Sequence, residues 1–411
     1  MNDNTLPLEG IRVGDFSWVW AGPFATMLLA MLGAEVIKVE GHKRTDLMRH
    51  SVIWPLADPA PADVPPNQGM GYNTVNLNKK SLTLDISKPE GALLAQQLAI
   101  KCDIVIDNMR SGVMDRIGLG YEALHKLRSD IIVLSSGSRG KEGPEKDFPG
   151  YATIHNAVGG VAYVTGYPDD APSTTVGDTD LMNSTTTAFI LLAALYHRLQ
   201  TGEGQFIDYS QCEAVTSLAG EMALGYQMTG RVPERMGNAH LYFAPHSVYR
   251  CWGVDHWLAL EVHSNDEFIA FTRVIGKPEL AQDKRFKTMK ARKRNERTLN
   301  HIIEEWTRQR DRDWMVNEFC QAGIAAAPSR DWQDIYADPH LRARDAFIKV
   351  QHPEIGPLEL VGVPWKMSDY TPPANRAPLL GEHNDYVLRQ ILGLSEKQVA
   401  ELRNKDVISQ G

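Results

Sequence analysis

The stretch Gly177-Asp178-Thr179-Asp180-Leu181-Met182-Asn183-Ser184 sets two carboxylates at the entrance to the most helical segment of the chain, residues 183–200. A carboxylate just ahead of a helix faces main-chain N–H groups that have no partner inside the helix, and the helix dipole adds to their effect. Both lower its pKa and keep it ionised, and such an anion can act as a nucleophile. The same placement suits a simple helix cap, so residue type and position leave both roles open for Asp178 and Asp180. Other chemistries lack their residues. There is no P-loop and no HExxH, and Gly137-Ser138-Arg139-Gly140 has the wrong spacing for a nucleophile elbow. His240, His246, His256 and His263 share no metal-binding spacing on a single element, and no metal site is expected.

The elements that must position these carboxylates read as an α/β fold. Between residues 11 and 136, short β-branched runs alternate with longer segments of helical period, the pattern of a parallel sheet covered by helices. Strands are expected at 11–16, 34–40, 81–86, 103–107 and 131–135, and helices at 24–32, 89–101 and 121–128, with Ser87 as a cap and Pro89 in a first turn. This is a doubly wound, Rossmann-like half. Its first strand–helix turn, Asp15-Phe16-Ser17-Trp18-Val19-Trp20-Ala21-Gly22-Pro23, has one glycine where a dinucleotide fingerprint needs three. An NAD-dependent oxidoreductase therefore rests only on Glu40, which imitates a ribose-binding acid. Five prolines make 54–68 an irregular loop. Asn183, Ser184 and Thr185 offer caps for the long helix, which Gly202 closes. A second helix is expected at 211–227, a hairpin at 248–262 with Gly253 and Asp255 in its turn, and helices at 266–275 and 296–306. The basic run 284–297 reads as a solvated face. The domains expected are 1–212 (large, Rossmann-like), 213–241 (linker), 242–329 (small, α+β) and 330–411, a proline-punctuated strap that returns to the large domain.

Composition narrows the functional class. The 411 residues are 43% hydrophobic and 23% charged, ordinary values for a globular protein and too many residues for one compact core. Fifty-one acidic against 43 basic side chains leave a formal charge of −8, which argues against a nucleic-acid partner held by a general basic field and means that any anionic ligand must be caught locally. The cysteines Cys102, Cys212, Cys251 and Cys320 lie far apart without CxxC spacing, which fits a reducing cytoplasm. No export signal and no membrane-spanning run is expected.

Several longer segments carry a resemblance to a known family. DFSWVWAGPFATMLLAMLGAEVIKVE (15–40), NLNKKSLTLDISKPEG (76–91), DIVIDNMRSGVMDRIGLGYEAL (103–124), LLAALYHRLQTGEGQFID (191–208) and APLLGEH (377–383) follow one another in the order and spacing of the class III CoA-transferases. The chain resembles this family, that of formyl-CoA transferase and carnitine CoA-transferase, along nearly its whole length, and is similar in style to the benzylsuccinate-type branch. In the family an aspartate thirteen residues before the AAL triplet forms the covalent intermediates. Counting back from Ala193-Ala194-Leu195 reaches Asp180. The family glycine shortly after that aspartate is replaced here by Met182-Asn183-Ser184.

The resemblance implies transfer of CoA from a donor thioester, such as succinyl-CoA, to an acceptor acid through aspartyl anhydride and aspartyl-CoA thioester intermediates. CoA thioesters enter as substrates, with no permanently bound cofactor. It implies CoA contacts at Val19, Trp20, Ala21, Leu84, Asn108, Met109, Arg116 and Tyr151, with Lys43 or Arg44 in place of the family arginine at Gly41. Trp20 stands where formyl-CoA transferase has a glutamine, and no GGGGQ loop follows, which speaks for an acid larger or less polar than oxalate. The implied assembly is an open ring interlocked with a second ring, as a homodimer or a heteromer with a homologous subunit, with Met236–His240 and Tyr242 reaching the acceptor pocket across the interface. Two alternatives remain. An α-methylacyl-CoA racemase needs a histidine in a GHDxNY-like segment, where this chain has Tyr151, with His155 four residues late. A non-catalytic partner subunit would not need Asp180.

Overall fold

The structure, a computed structural model, describes residues 6–51, 64–173 and 178–409. It divides into two units, one of Met1–Ala162, Thr174–Met228 and Ala343–Gly411 and one of Tyr163–Ser173 and Thr229–Arg342. The first is built on a six-stranded sheet of β1 (Arg12–Asp15), β2 (Glu35–Glu40), β3 (Lys80–Thr83), β4 (Ile104–Asp107), β5 (Ile132–Gly137) and β6 (Gln205–Ser210). The order is β3-β2-β1-β4-β5-β6 and every pair is parallel, the doubly wound arrangement. Its direction reverses between β1 and β4, so ligands are expected outside the carboxyl ends of the strands there.

Side chains alternate between two cores. On β4 and β5, Ile104, Ile106, Ile132 and Leu134 pack with the helices Ala21–Met31 and Asp178–Thr201, whereas Val105 and Val133 face the helices Pro89–Ala99 and Tyr121–Leu127. This is why these strands are apolar on both faces. Ala21–Met31 is apolar all round and almost wholly buried, as a helix between layers must be. The second core also takes in Val387, Leu388, Val399, Val407 and Ile408 from the end of the chain. Those residues are fixed to β3 and the loop after it: Thr83 N–H donates to Asn384 Oδ1 at 2.8 Å and Asp85 N–H to Val407 O at 2.8 Å.

At the carboxyl ends of β1 and β2 lies a network of fully buried charges. Lys79 and Asp15 pair at 2.9 Å, as do Lys38 and Asp46, and Arg49 Nε donates to Glu40 at 2.8 Å. Lys79 also donates to Pro23 O and Asn76 Oδ1, tying β1, the start of helix Ala21–Met31 and the approach to β3 to one ammonium group. Burial disfavours an ionised Asp15, but Lys79, Lys38 and the hydroxyls of Ser17 and Thr26 outweigh it and hold the carboxyl at about 2. Burial pulls Lys79 down to about 8 against the attraction of Asp15, which still leaves it charged at neutral pH. Glu40 is thus engaged by Arg49 and does not stand free as a ribose-binding acid would.

Other expectations are corrected locally. Ser87 does not cap the helix Pro89–Ala99; its hydroxyl turns to Asp85 Oδ1 at 2.5 Å and the cap position is Lys88. The long helix begins at Asp178, five residues early, so Asn183, Ser184 and Thr185 lie inside it. The helix expected over 211–227 breaks into Gln211–Leu218 and Gly220–Thr229. Residues 54–63 of the proline-rich loop fall outside the described residues; 64–68 are irregular.

The second unit carries an antiparallel sheet, β7 (His246–Arg250), β8 (Trp257–Glu261) and β9 (Ala325–Ser329), in that order. Gly253 and Asp255 take positive φ in the β7–β8 turn. Helices Asn265–Val274, Glu296–Thr307 and Arg312–Gln321 cover the sheet through Phe268, Phe271, Leu299, Ile303 and Phe319. The basic run 284–297 is not uniformly solvated, because Arg292 is fully buried and donates to the carbonyls of Ala244, Phe286 and Ser264. Among the described residues, no helix is long and apolar enough to cross a membrane.

The buried pairs give a first prediction. Lys79→Met strands the Asp15 carboxylate without its nearest cation, and should lower stability by about 3–5 kcal/mol in urea unfolding at pH 7. A loss of less than about 1 kcal/mol would show that this ammonium does not tie the three elements together.

Candidate active site

The turn after β1 is the first wall of the site, and it is held in an unfavourable conformation. Val19 has φ of 72°, a region that β-branched residues avoid. Its N–H is taken by the Asp46 carboxylate at 3.1 and 3.2 Å, and Asp46 is itself fixed by Lys38. On the other side Asn108, just past β4, clamps Trp18 from both directions: Trp18 N–H donates to Asn108 Oδ1 at 2.8 Å, and Asn108 Nδ2 donates to Trp18 O at 2.7 Å. The turn delivers Trp20 to the start of helix Ala21–Met31, whose first-turn N–H groups are not used inside the helix.

The second wall is the start of helix Asp178–Thr201. Ser184 Oγ lies 2.8 Å from Ala21 O and 2.6 Å from Asp180 O, which joins the two helix starts through one side chain. The residues in place of the family glycine thus have a structural use: Ser184 makes this link, and Asn183 accepts a hydrogen bond from Tyr209 Oη at 2.9 Å. Asp180 itself differs from expectation. Its carboxyl is pushed up to about 6, chiefly by burial and then by Asp178, and no hydrogen bond to its carboxylate is found among the described residues. Helix-start amides were expected to lower the pKa; without a donor or cation at the carboxylate, desolvation decides the direction.

A cavity of about 920 Å³ opens at the carboxyl edge of the sheet. Of the residues singled out in the sequence, it is lined by Val19, Trp20, Ala21, Arg44, Leu84, Asn108, Met109, Tyr151 and Asp180. Two are not brought to it. Lys43 is exposed and its ammonium is paired with Asp406, which also meets His42 at 2.8 Å and Lys88 at 3.5 Å. Arg116 is exposed on the short helix Val113–Arg116, outside the lining.

Sequence reasoning missed two lining cations, Arg110 and Lys146, and the wall of Ser136, Ser138, Gly150, His155 and Gln211. Arg110 sits two residues beyond Asn108 and could have been found from that spacing. Nothing local marks Lys146 within a charged loop. Gly150 is glycine for a steric reason: a Cβ there would lie 2.3 Å from Ser138 Oγ and 3.0 Å from His155 Nε2.

An aspartate at a helix start and the cations Arg44, Arg110 and Lys146 thus line one crevice at the sheet's switch point. The chain belongs to CoA-transferase family III, whose profile matches residues 8–384. It is an enzyme of that class, and CoA thioesters are its substrates. It is 33% identical over 419 residues to succinyl-CoA–D-citramalate CoA-transferase of Chloroflexus aurantiacus, with 98% of each chain covered. The same organism's succinyl-CoA–L-malate CoA-transferase beta subunit is 34% identical over 412 residues, again with 98% of each chain covered. Among solved structures, a CAIB/BAIF family protein from Brucella suis superposes with a TM-score of 0.84 at 30% identity, over 94% of this chain and all of that one.

Burial of Asp180 has a cost that can be measured. A carboxyl whose pKa rises on folding from 3.8 to about 6 holds its proton more tightly in the folded chain, so its stabilising effect is present below 3.8 and is lost as pH rises to 6. Asp180→Asn should therefore raise stability at pH 8, by up to on the order of 3 kcal/mol, with little effect at pH 4. Denaturant titrations at the two pH values check this; an equal change at both would assign it to packing.

Proposed function

We propose that Asp180 is the nucleophile of a ping-pong transfer of CoA between two dicarboxylic acids, with succinyl-CoA as donor. The observation that carries the reading is its placement: the one carboxylate of the long helix that lines the cavity is half-buried, has no hydrogen-bond donor at its carboxylate among the described residues and has its pKa pushed up to about 6. At neutral pH it is mostly ionised and poorly solvated, which favours attack on carbon.

Asp180 attacks the thioester carbonyl, the C–S bond breaks, and a mixed anhydride and CoA thiolate result. The thiolate then attacks the aspartyl carbonyl, releasing the donor's acid and leaving an aspartyl-CoA thioester. The acceptor carboxylate attacks that thioester, forming a second anhydride and freeing the thiolate once more. Attack of the thiolate on the acceptor's acyl carbon yields the new acyl-CoA and restores Asp180. Each tetrahedral intermediate needs N–H donors, for which the free first-turn amides of Ala21 and Gly22 are suited. Arg44, Arg110 and Lys146 supply the local cations that CoA phosphates require in a net-negative chain. Arg44 thus takes the place of the family arginine, while Asn108 holds the Trp18 turn in shape.

Succinyl-CoA as donor and a dicarboxylate larger than oxalate as acceptor are supported by the names of the relatives and by Trp20 in the wall. An interlocked dimer, of two copies or with a homologous subunit, is supported by exposed apolar side chains on successive helices, including Phe189, Tyr196, Leu199, Leu218, Leu224 and Tyr226. The four unpaired cysteines suit a reducing cytoplasm.

Asp180→Ala should lower transfer by about a thousandfold or more while CoA still binds, whereas Asp178→Ala should stay within a few-fold of wild type. Mass spectrometry of peptides after incubation with succinyl-CoA should place the adduct on Asp180; an adduct elsewhere would refute the assignment. Because the nucleophile must be ionised, kcat/KM for the acyl-CoA should rise as pH passes through about 6. Asp178→Ala should move that limb to lower pH by removing the neighbouring negative charge.

A further inference from the structure

Two side chains in the cavity wall hold nitrogens with hydrogen-bonding capacity that the fold does not fill. Trp20 Nε1 is buried without a hydrogen-bond partner, the His155 ring meets only the Gly150 backbone and keeps a second nitrogen unpartnered, and both residues line the cavity with Asp180. His155, on the helix Ala152–Val158, is only 2% exposed. A buried polar group without a partner is destabilising, which a folded chain tolerates where a ligand completes the bond. The site is also sterically arranged, since Gly150 leaves room for the His155 ring and the Ser138 hydroxyl together.

The character of this wall points to a particular group. Indole offers only an N–H, and a neutral imidazole offers one donor and one acceptor. Burial, and then the positive charge of Arg139, hold the His155 ring neutral with a pKa near 4. Arg139 pairs with Glu145 at 3.1 Å, keeps a buried and unpartnered Nε, and still acts on His155 as a positive charge. Around Asp180 the balance is opposite, with Asp178 as its charged neighbour. An acid with a second carboxylate is repelled from the nucleophile's side and attracted to the donor-rich side.

Resting on the reading above that this chain moves CoA between dicarboxylic acids, we propose that His155 and Trp20 hold the remote carboxylate of the acyl group. They are specificity-determining residues that take no part in bond making. His155 lies four positions beyond the place where a racemase would carry its histidine, and its role is recognition.

The test compares glutarate with valerate, which has the same carbon count and a methyl in place of the remote carboxylate, using succinyl-CoA as the common donor. Because the donor is shared, the ratio of the two kcat/KM values isolates the acceptor. Wild type should favour glutarate by about tenfold or more, and His155→Leu should cut that ratio about tenfold. His155→Gln, which keeps a donor, should retain most of the preference. Trp20→Phe, which removes the indole N–H and keeps a ring, should reduce it, and these two variants decide the matter if His155→Leu does not fold. A wild-type enzyme indifferent to the remote carboxylate, or variants that lose both acceptors equally, would overturn this assignment alone. Failure of the wild type to transfer CoA to any acid would overturn the underlying function.

Discussion

The site depends on charges taken out of water at the carboxyl ends of β1 and β2. Asp46 has no exposure to solvent, yet it is satisfied by Lys38, by the N–H of Met48 and by the N–H of Val19. That last bond keeps a valine in a left-handed conformation that costs on the order of 1–3 kcal/mol. With Asn108 gripping Trp18, the strained turn has no freedom to relax, and Trp20 and the first turn of the next helix are aimed at the cavity. Rigidity of this kind is what preorganised donors require, because reorientation during reaction would erode their effect.

The same desolvation produces opposite results at two aspartates. Asp15 is fully buried but meets two lysines and two hydroxyls, and its carboxyl falls to about 2. Asp180 is less deeply placed but meets no cation and has an acidic neighbour, so its carboxyl climbs to about 6. Surroundings, not depth, separate a structural carboxylate from a reactive one. Ser184 carries the connection between the two regions, since it links the helix that bears Asp180 to the helix start that the buried charges hold in place.

Much of this was legible in the residues. Alternation of β-branched runs with helical period marks β1 to β5, because a parallel sheet buried on both faces needs apolar side chains in both directions. β6 was missed as a strand, since Gln205-Phe-Ile-Asp-Tyr-Ser mixes polar and apolar side chains at a sheet edge. The position of Asp180 came from the resemblance, as the local pattern also fits a cap. The direction of its pKa was misjudged because a helix start was visible in the sequence and the burial around it was not. Lys43 looked as suitable as Arg44 because its competitor, Asp406, lies 363 residues away. The unfilled hydrogen-bonding capacity of His155 and Trp20 had no sequence signal, since an absent partner is a property of packing alone.

The fastening of residues 384 and 407 to Thr83 and Asp85 bears on how the chain reaches its native state. On the ribosome, β1 to β6 emerge long before Val387, Leu388, Val399 and Ile408, so the face that helices Pro89–Ala99 and Tyr121–Leu127 cover waits for the rest of its apolar cover. Residues 229–342 of the second unit are thus made while that part of the first unit's core is still incomplete, an interval in which exposed apolar surface favours aggregation.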